Sequence, residues 1–404
     1  MGKVEITPSK FNGSVTLPPS KSEAHRALIC SFLSGGGTVQ PIIQSNDMNA
    51  TIGMINALKS NKIVMDAIES GSTLRFMIPV VASLGREVIF IGEGSLLKRT
   101  IGEYSEILPQ HGVRVVSNGG FLPVKISGRL KSGKYEVNGN ISSQYITGLM
   151  IALANLRYDS KIVLKTPLQS KPYVDLTVKV LGKYGVRAWE TNYGYFVKGG
   201  QRFKRIDYYV EGDWSQAAFF LVAGALNGTV EVKGLSMDSP QGDKAIVDVL
   251  RQFGADVEVK EDGVVCKKSR LKGCVVDAKN IPDLVPIIAV MAANAEGETI
   301  IKGAERLRYK ESNRIRSVVL NLRAMGVNVI EATDGMIIQG QKKLKGAELD
   351  GFNDHRIVMA FSVAAANAEG KSVISDRESI NKSYPAFFAD FRNIGGRANV
   401  INDG

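Results

Sequence analysis

Residues 213–226 read DWSQAAFFLVAGAL. From Ala217 onward the run is apolar nearly all round, the mark of a helix buried on every side. The acid at its head is a favoured N-cap. Behind it, GTVEV at 228–232 reads as a glycine turn and a β-branched strand. Five other segments repeat this composition, a small or acidic residue before an apolar helical run: Ser22 (KSEAHRALI), Ser70 (SGSTLRFMI), Ser142 (SSQYITGLM), Asp283 (DLVPIIAVM) and Asp354 (DHRIVMAFS). Counted from one such residue to the next, with Asp213 in its place, the steps are 48, 72, 71, 70 and 71. The last five units share one period, and a fixed period of this kind is the signature of a repeated supersecondary unit.

Each unit has the same interior. A second, amphipathic helix ends at a glycine before a strand, at Gly112, Gly185, Gly254, Gly326 and Gly395, which lie 42, 43, 41, 43 and 41 residues beyond their unit starts. Glycine suits the left-handed cap that ends such a helix. The second helices carry charge on one face, as in residues 179–183 and 314–323, and belong at the surface. Buried helices surrounded by sheets and outer helices give an α/β protein that is not a Rossmann fold. The chain has no GxGxxG fingerprint and no GxxxxGK[ST] loop. The first unit, at 48 residues, is too short for the full set and lacks a strand pair.

A chain of 404 residues calls for two or three domains, and 44% hydrophobic with 23% charged residues is a soluble globular composition. No apolar run is long enough to span a bilayer, and residues 1–6, MGKVEI, contain no signal core, so a cytosolic protein with no membrane partner is expected. Cys30, Cys266 and Cys274 match no disulfide framework or metal spacing. With His25, His111 and His355 the only histidines, no metal and no cofactor is expected. His25 reads as a helix-packing residue and His111 as a cation at a helix end. The net charge of +11 suits nucleic acid or a small polyanion drawn to a positive cleft. No basic block or aromatic-basic interleaving favours nucleic acid, so none is expected as a partner. In the absence of an apolar surface stripe, a monomer is the default.

The buried helix starts carry the functional signal. A helix N-terminus offers unpaired N–H groups and a partial positive charge to phosphate or carboxylate. Ser and Asp there are ordinary caps when alone. Here cations accompany them: Lys21, Arg26, Arg75, Lys310, Arg314 and Arg356.

LPPSKSEAHRALI at 17–29 resembles the N-terminal signature of the 5-enolpyruvylshikimate-3-phosphate synthases. The resemblance continues in order along the chain: SGSTLRF (70–76), LKRTIG (97–102), ISSQY (141–145), SKPYVD (170–175), VEGDWSQA (210–217), IPD (281–283), YKESNRI (309–315), NDHRI (353–357) and KSYP (382–385). It implies an inside-out α/β barrel fold of two domains, each of three βαβαββ-like units. One domain would be residues 20–211, the other 1–19 with 212–404, with an active-site cleft between them. The implied activity joins the enolpyruvyl group of phosphoenolpyruvate to shikimate 3-phosphate, a step of chorismate and aromatic amino acid biosynthesis. The related transferase acting on UDP-N-acetylglucosamine is the alternative, and an RNA 3′-end enzyme or nucleic-acid binder a remote one. The former usually carries a cysteine on the loop before its arginine segment, and residues 92–102 contain none.

The resemblance implies that Lys21, Gly71, Arg99, Gln144, Arg314, Arg356 and Lys382 hold phosphoenolpyruvate. Arginine forks suit its carboxylate and phosphate, and a side chain at Gly71 would crowd it. Shikimate 3-phosphate would meet Lys21, Ser22, Arg26, Ser142, Ser143, Gln144, Ser170, Tyr173, Asp283 and Lys310. The chemistry needs an acid for the methylene carbon and a base for the hydroxyl. Asp283 is assigned as base, Glu311 with Lys21 as proton handlers, and His355 as a further candidate. Gly71 also implies room for the inhibitor glyphosate. Four residues depart from the family pattern: Glu69 and Arg306 stand where asparagine is usual, Thr100 where proline is, and Asn313 where aspartate is.

Overall fold

A computed structural model describes residues 2–401; Met1, which opens the stretch read above for a signal core, and residues 402–404 at the end of the second expected domain lie outside the described residues. The chain divides into two compact units, Met1–Pro18 with Glu211–Gly404 and Pro19–Val210. The bounds implied by the resemblance stand one residue further along.

Among the described residues each unit holds three buried helices and three small sheets. In the 19–210 unit the buried helices are Lys21–Leu33, Gly71–Ser83 and Ser143–Ala154. In the other they are Trp214–Asn227, Val285–Ala293 and His355–Ala366. Five sheets share one topology, in which a parallel pair is followed by two antiparallel neighbours. Val64–Asp66, Val88–Ile91, Phe121–Gly128 and Val113–Asn118 line up this way, with Val64 opposite Ile89 and Val88 opposite Ile126. The N-terminal residues complete two sheets of the 211–404 unit: Lys3–Thr7 pairs with Ser372–Ile374 and Arg397–Ile401, and Phe11–Thr16 pairs with Gly228–Lys233.

The sixth sheet holds only the parallel pair Tyr208–Tyr209 with Val39–Gln40, so the antiparallel pair is what the short first spacing removes. The unit is otherwise regular. Its cap is Ser20, not Ser22, which lies in the first turn; Ser20 Oγ accepts from Glu23 N. Counted from Ser20, the outer helix reaches a left-handed residue at Asn61 (φ 55°) after 41 positions, as in the other units. Asparagine tolerates this conformation, so no glycine marks it. Gly112, Gly185, Gly254, Gly326 and Gly395 all have positive φ, between 75° and 101°.

One packing detail reaches into the functional region. Pro79, inside the Gly71–Ser83 helix, cannot donate to the Arg75 carbonyl four residues back. Tyr104 Oη supplies that bond at 2.8 Å and lies 3.1 Å from Tyr145 O. Gly148 keeps room for it, since a Cβ there would lie 2.5 Å from Tyr104 Oη and 3.0 Å from Pro79. The Gly71 and Ser143 helices are thereby clamped beside Arg75.

Candidate active site

The six helix starts form two contrasting sets. In the 19–210 unit the caps are Ser20, Ser70 and Ser142, each accepting from a backbone N–H of its own first turn. In the other unit Asp213 and Asp354 cap in the same way. Asp283 does not cap. Its helix begins with a 3-10 turn, Pro282–Leu284, that has no side-chain cap bond. Proline at the first position needs no acceptor for its missing N–H, and the Asp283 carboxylate turns to cations instead.

Asp283 Oδ1 receives Arg314 Nη1 at 2.9 Å and lies 3.5 Å from Lys310 Nζ; Oδ2 receives Arg356 Nη2 at 3.0 Å. Arg314, with 1% of its side chain exposed, also donates from Nε to Asp354 Oδ2 (2.8 Å) and from Nη2 to Glu311 Oε2 (2.6 Å) and Asp354 Oδ1 (3.2 Å). All three of its nitrogens therefore donate to carboxylates of its own unit. Arg314, which the resemblance implies holds phosphoenolpyruvate, is thus a buried hub that carries Asp283, Glu311 and Asp354. Lys382 Nζ, also buried, donates to Asn353 O at 2.8 Å, where Asn353 is left-handed (φ 49°). His355 is buried at the head of the adjacent helix.

Burial pushes the Asp283 carboxyl up, but Arg356, Lys310 and Arg314 outweigh it and hold it well below the usual carboxylate range. Burial lowers Lys310 to about 8, against the opposing pull of Asp283. For Arg314 the carboxylates of Asp354, Glu311 and Asp283 overcome burial and raise it further.

In the 19–210 unit Lys21 Nζ meets Asp47 Oδ2 at 2.6 Å. Gly71 begins its helix beneath Arg99: a Cβ there would lie 2.6 Å from Arg99 Nη1. Arg75 Nη1 donates to Gln144 Oε1 (2.7 Å), and Gln144 Nε2 to Ser72 Oγ (2.7 Å), so two motifs of the resemblance meet. Thr100 O accepts from Arg75 Nη2 (3.3 Å) and Tyr145 Oη (3.0 Å), so the Pro-to-Thr departure keeps a backbone anchor. Glu69 accepts from Ser95 N at 2.8 Å and steadies the loop before Arg99. Asn313 caps Arg314–Ala324 as an aspartate would, accepting from Arg316 N at 3.1 Å. Arg306 donates to Lys279 O at 3.1 Å.

Arg26 is held by groups of its own unit. It is 2% exposed, and its guanidinium donates to Thr177 Oγ1 (2.8 Å), Tyr173 O (2.9 Å) and Ser22 O, over the Phe76 ring. It ties the Lys21 helix to the Lys171–Lys183 helix through the Ser22 and Tyr173 carbonyls and the Thr177 hydroxyl. Ser170 is buried and left-handed (φ 56°), and Ser143 is buried beside its cap Ser142. His111 stacks on Tyr135 at 3.7 Å, and burial lowers its pKa, which favours the neutral ring over the expected cation. Among the described residues no group of three or more His, Cys, Asp or Glu side chains is placed to hold a metal, and no helix is long and apolar enough to cross a membrane.

The arrangement belongs to a class of known folds. An enolpyruvyl transferase, NikO from Streptomyces tendae, superimposes with a TM-score of 0.78 at 15% identity over 100% of this chain and 99% of that one. EPSP synthase from Acinetobacter baumannii gives a TM-score of 0.84 at 24% identity over the whole of both chains; at these identities the likeness concerns the fold. The family model for EPSP synthase (3-phosphoshikimate 1-carboxyvinyltransferase) matches residues 6–69 and 52–391. The 3-phosphoshikimate 1-carboxyvinyltransferases of Clostridium novyi and Clostridium acetobutylicum are each 42% identical over 98% of this chain and 98% of their own length. The chain belongs to the EPSP synthase family and is a transferase. These matches support the shikimate reading and lend nothing to the UDP-N-acetylglucosamine alternative.

Proposed function

We infer that this chain transfers the enolpyruvyl group of phosphoenolpyruvate to the 5-hydroxyl of shikimate 3-phosphate, releasing phosphate by addition and elimination. The observation that carries the chemistry is Asp283. Its helix alone of the six buried helices starts without a side-chain cap, and its ionised carboxylate lies among Lys310, Arg314 and Arg356. Addition forms a bond from the sugar oxygen to C2 and places a proton on the methylene carbon; elimination takes a proton back from the methyl group so formed as the C2–O bond to phosphate breaks, restoring the vinyl group. Asp283 takes the hydroxyl proton. A carboxylate held so low is a weak base in the free protein. Anionic substrates that share its cations raise its basicity as they bind.

Glu311 and Lys21 handle the methylene proton, with His355 as a further candidate. Lys21, Gly71, Arg99, Gln144, Arg314, Arg356 and Lys382 receive phosphoenolpyruvate. Ser22, Arg26, Ser142, Ser143, Gln144, Ser170, Tyr173 and Lys310 receive the phosphosugar. The protein works as a cytoplasmic monomer. Phosphate release from phosphoenolpyruvate tests the reading. Release is expected with shikimate 3-phosphate, and release with UDP-N-acetylglucosamine alone overturns it.

A further inference from the structure

Behind the Gly71 helix start runs a buried chain of side chains with no part in the chemistry above. His25 Nδ1 lies 2.7 Å from Thr51 Oγ1, Thr51 Oγ1 lies 2.7 Å from Thr73 Oγ1, and Thr73 Oγ1 lies 2.7 Å from Ser70 Oγ. The four residues come from three helices and a cap, and each is at most 1% exposed. Ser70 Oγ also accepts from Thr73 N at 3.2 Å, and Thr73 Oγ1 lies 3.3 Å from the carbonyl of Asp47, the residue that holds Lys21. The other ring nitrogen, His25 Nε2, is buried and meets no hydrogen-bonding atom among the described residues; Phe76 stands edge to face at 6.1 Å. Burial, then Lys21 and Arg26, lower the His25 pKa well below the usual value, so the ring is neutral and carries one proton.

Where that proton sits decides the direction of the whole chain, because each hydroxyl has one proton to give. With hydrogen on Nδ1, His25 donates to Thr51, Thr51 to Thr73 and Thr73 to Ser70. Ser70 then accepts from Thr73 twice, through Oγ1 and N, and its own proton is left to donate outward at the helix start. Nε2 is left as a bare lone pair. With hydrogen on Nε2, every donor reverses. Ser70 turns its proton inward and shows lone pairs to the helix start, and a buried N–H has no acceptor. Orphaned buried N–H groups are the rarer and costlier defect.

We propose that His25, acting through Thr51 and Thr73, is a positioning residue that turns the Ser70 hydroxyl into an outward donor for the anion received at Gly71 and Arg99. This rests on the reading of that site as the phosphoenolpyruvate site. Ser70 thereby joins the ligand-binding residues, and His25, Thr51 and Thr73 act only through it.

The chain has three histidines, so ¹⁵N spectra of imidazole-labelled full-length protein resolve the tautomer directly. His25 is expected as Nδ1–H, more completely so when phosphoenolpyruvate is added. Thr73→Val keeps the shape and breaks the relay. It is expected to release His25 toward Nε2–H and to raise KM for phosphoenolpyruvate about tenfold with kcat within about twofold, while Thr73→Ser restores both. A merely structural Thr73 would lower stability without moving the tautomer. An Nε2–H ring in the unsubstituted protein, or a folded Thr73→Val protein with unchanged KM, overturns the proposal. Should Thr73→Val not fold, the tautomer of the unsubstituted protein decides alone. Lack of any turnover with phosphoenolpyruvate and shikimate 3-phosphate would remove the functional reading, and the tautomer measurement would stand apart from it.

Discussion

The two units build the same helix starts and give them opposite electrostatics. Residues 19–210 have 24 Lys and Arg against 13 Asp and Glu, a net +11; the remaining residues have 27 of each, a net of zero. The whole charge of the protein thus resides in the unit whose unit starts are serines, while the neutral unit begins its repeats with aspartates. A neutral cap satisfies backbone N–H groups without cancelling the positive end of the helix dipole, which draws anions. An acidic residue in the same place pairs with the cations and makes a group that can exchange protons. In the proposed function, one geometry serves chiefly as an anion receptor in the 19–210 unit, where Lys21 alone handles protons, and carries Asp283 and Glu311 for acid–base work beside Lys310, Arg356 and Lys382 in the other.

The largest expected effect comes from removing the acid that does not cap. Asp283→Asn should lower kcat about 10²- to 10⁴-fold. It also takes a negative charge from beside Lys310 and Arg356, so KM for phosphoenolpyruvate should not rise. Steady-state kinetics with each substrate varied separates these effects. Near-normal turnover would end the assignment of Asp283 as base and with it the functional half of the contrast.

A substitution in the other unit sharpens the same point. Ser142→Asp places an aspartate where the receptor unit has a serine, whose Oγ accepts from Gln144 N at 3.3 Å. Aspartate caps as well as serine, so Tm should hold. A negative charge facing the sugar phosphate should raise KM for shikimate 3-phosphate roughly 10- to 100-fold. If KM is unmoved, the neutral cap has no electrostatic purpose.

Much of this was legible in the sequence because it is periodic. The glycine that ends each outer helix recurs at 41 to 43 residues and needs positive φ, so one residue type betrays the position. The first unit escapes because Asn61 replaces that glycine and Ser22 lies two residues from the true cap Ser20. The burial of Arg26 and Arg314 was not legible. Both stand in motifs beside serines or acids, and whether a guanidinium faces a ligand or its own fold depends on residues such as Thr177, 151 positions away, and Asp354, 40 away. The relay behind Ser70 was hidden for the same reason, since nothing local joins His25, Thr51 and Thr73.

Lys310 tests the contrast by pH. Its ammonium is expected on the phosphosugar and titrates at about 8, so the cation is present below that pH and lost above it. For the free enzyme kcat/KM for shikimate 3-phosphate should fall about tenfold per pH unit above the limb. Lys310→Arg keeps the charge through that range and should abolish the limb. A limb that persists in this variant belongs to another group.

The smallest effect separates two serines. Ser20 Oγ accepts from Glu23 N, whereas Ser22 lies within the first turn, where its carbonyl accepts from Arg26. Ser20→Ala removes a cap and should cost about 1 kcal/mol, lowering Tm by a few degrees. Ser22→Ala removes no fold contact that its hydroxyl makes and should leave Tm in place while raising KM for shikimate 3-phosphate a few-fold. Thermal melts and kinetics on the two variants thus place capping and anion receipt on different serines of one turn. The reverse outcome would return the cap to Ser22 and take the first helix start out of the regular series.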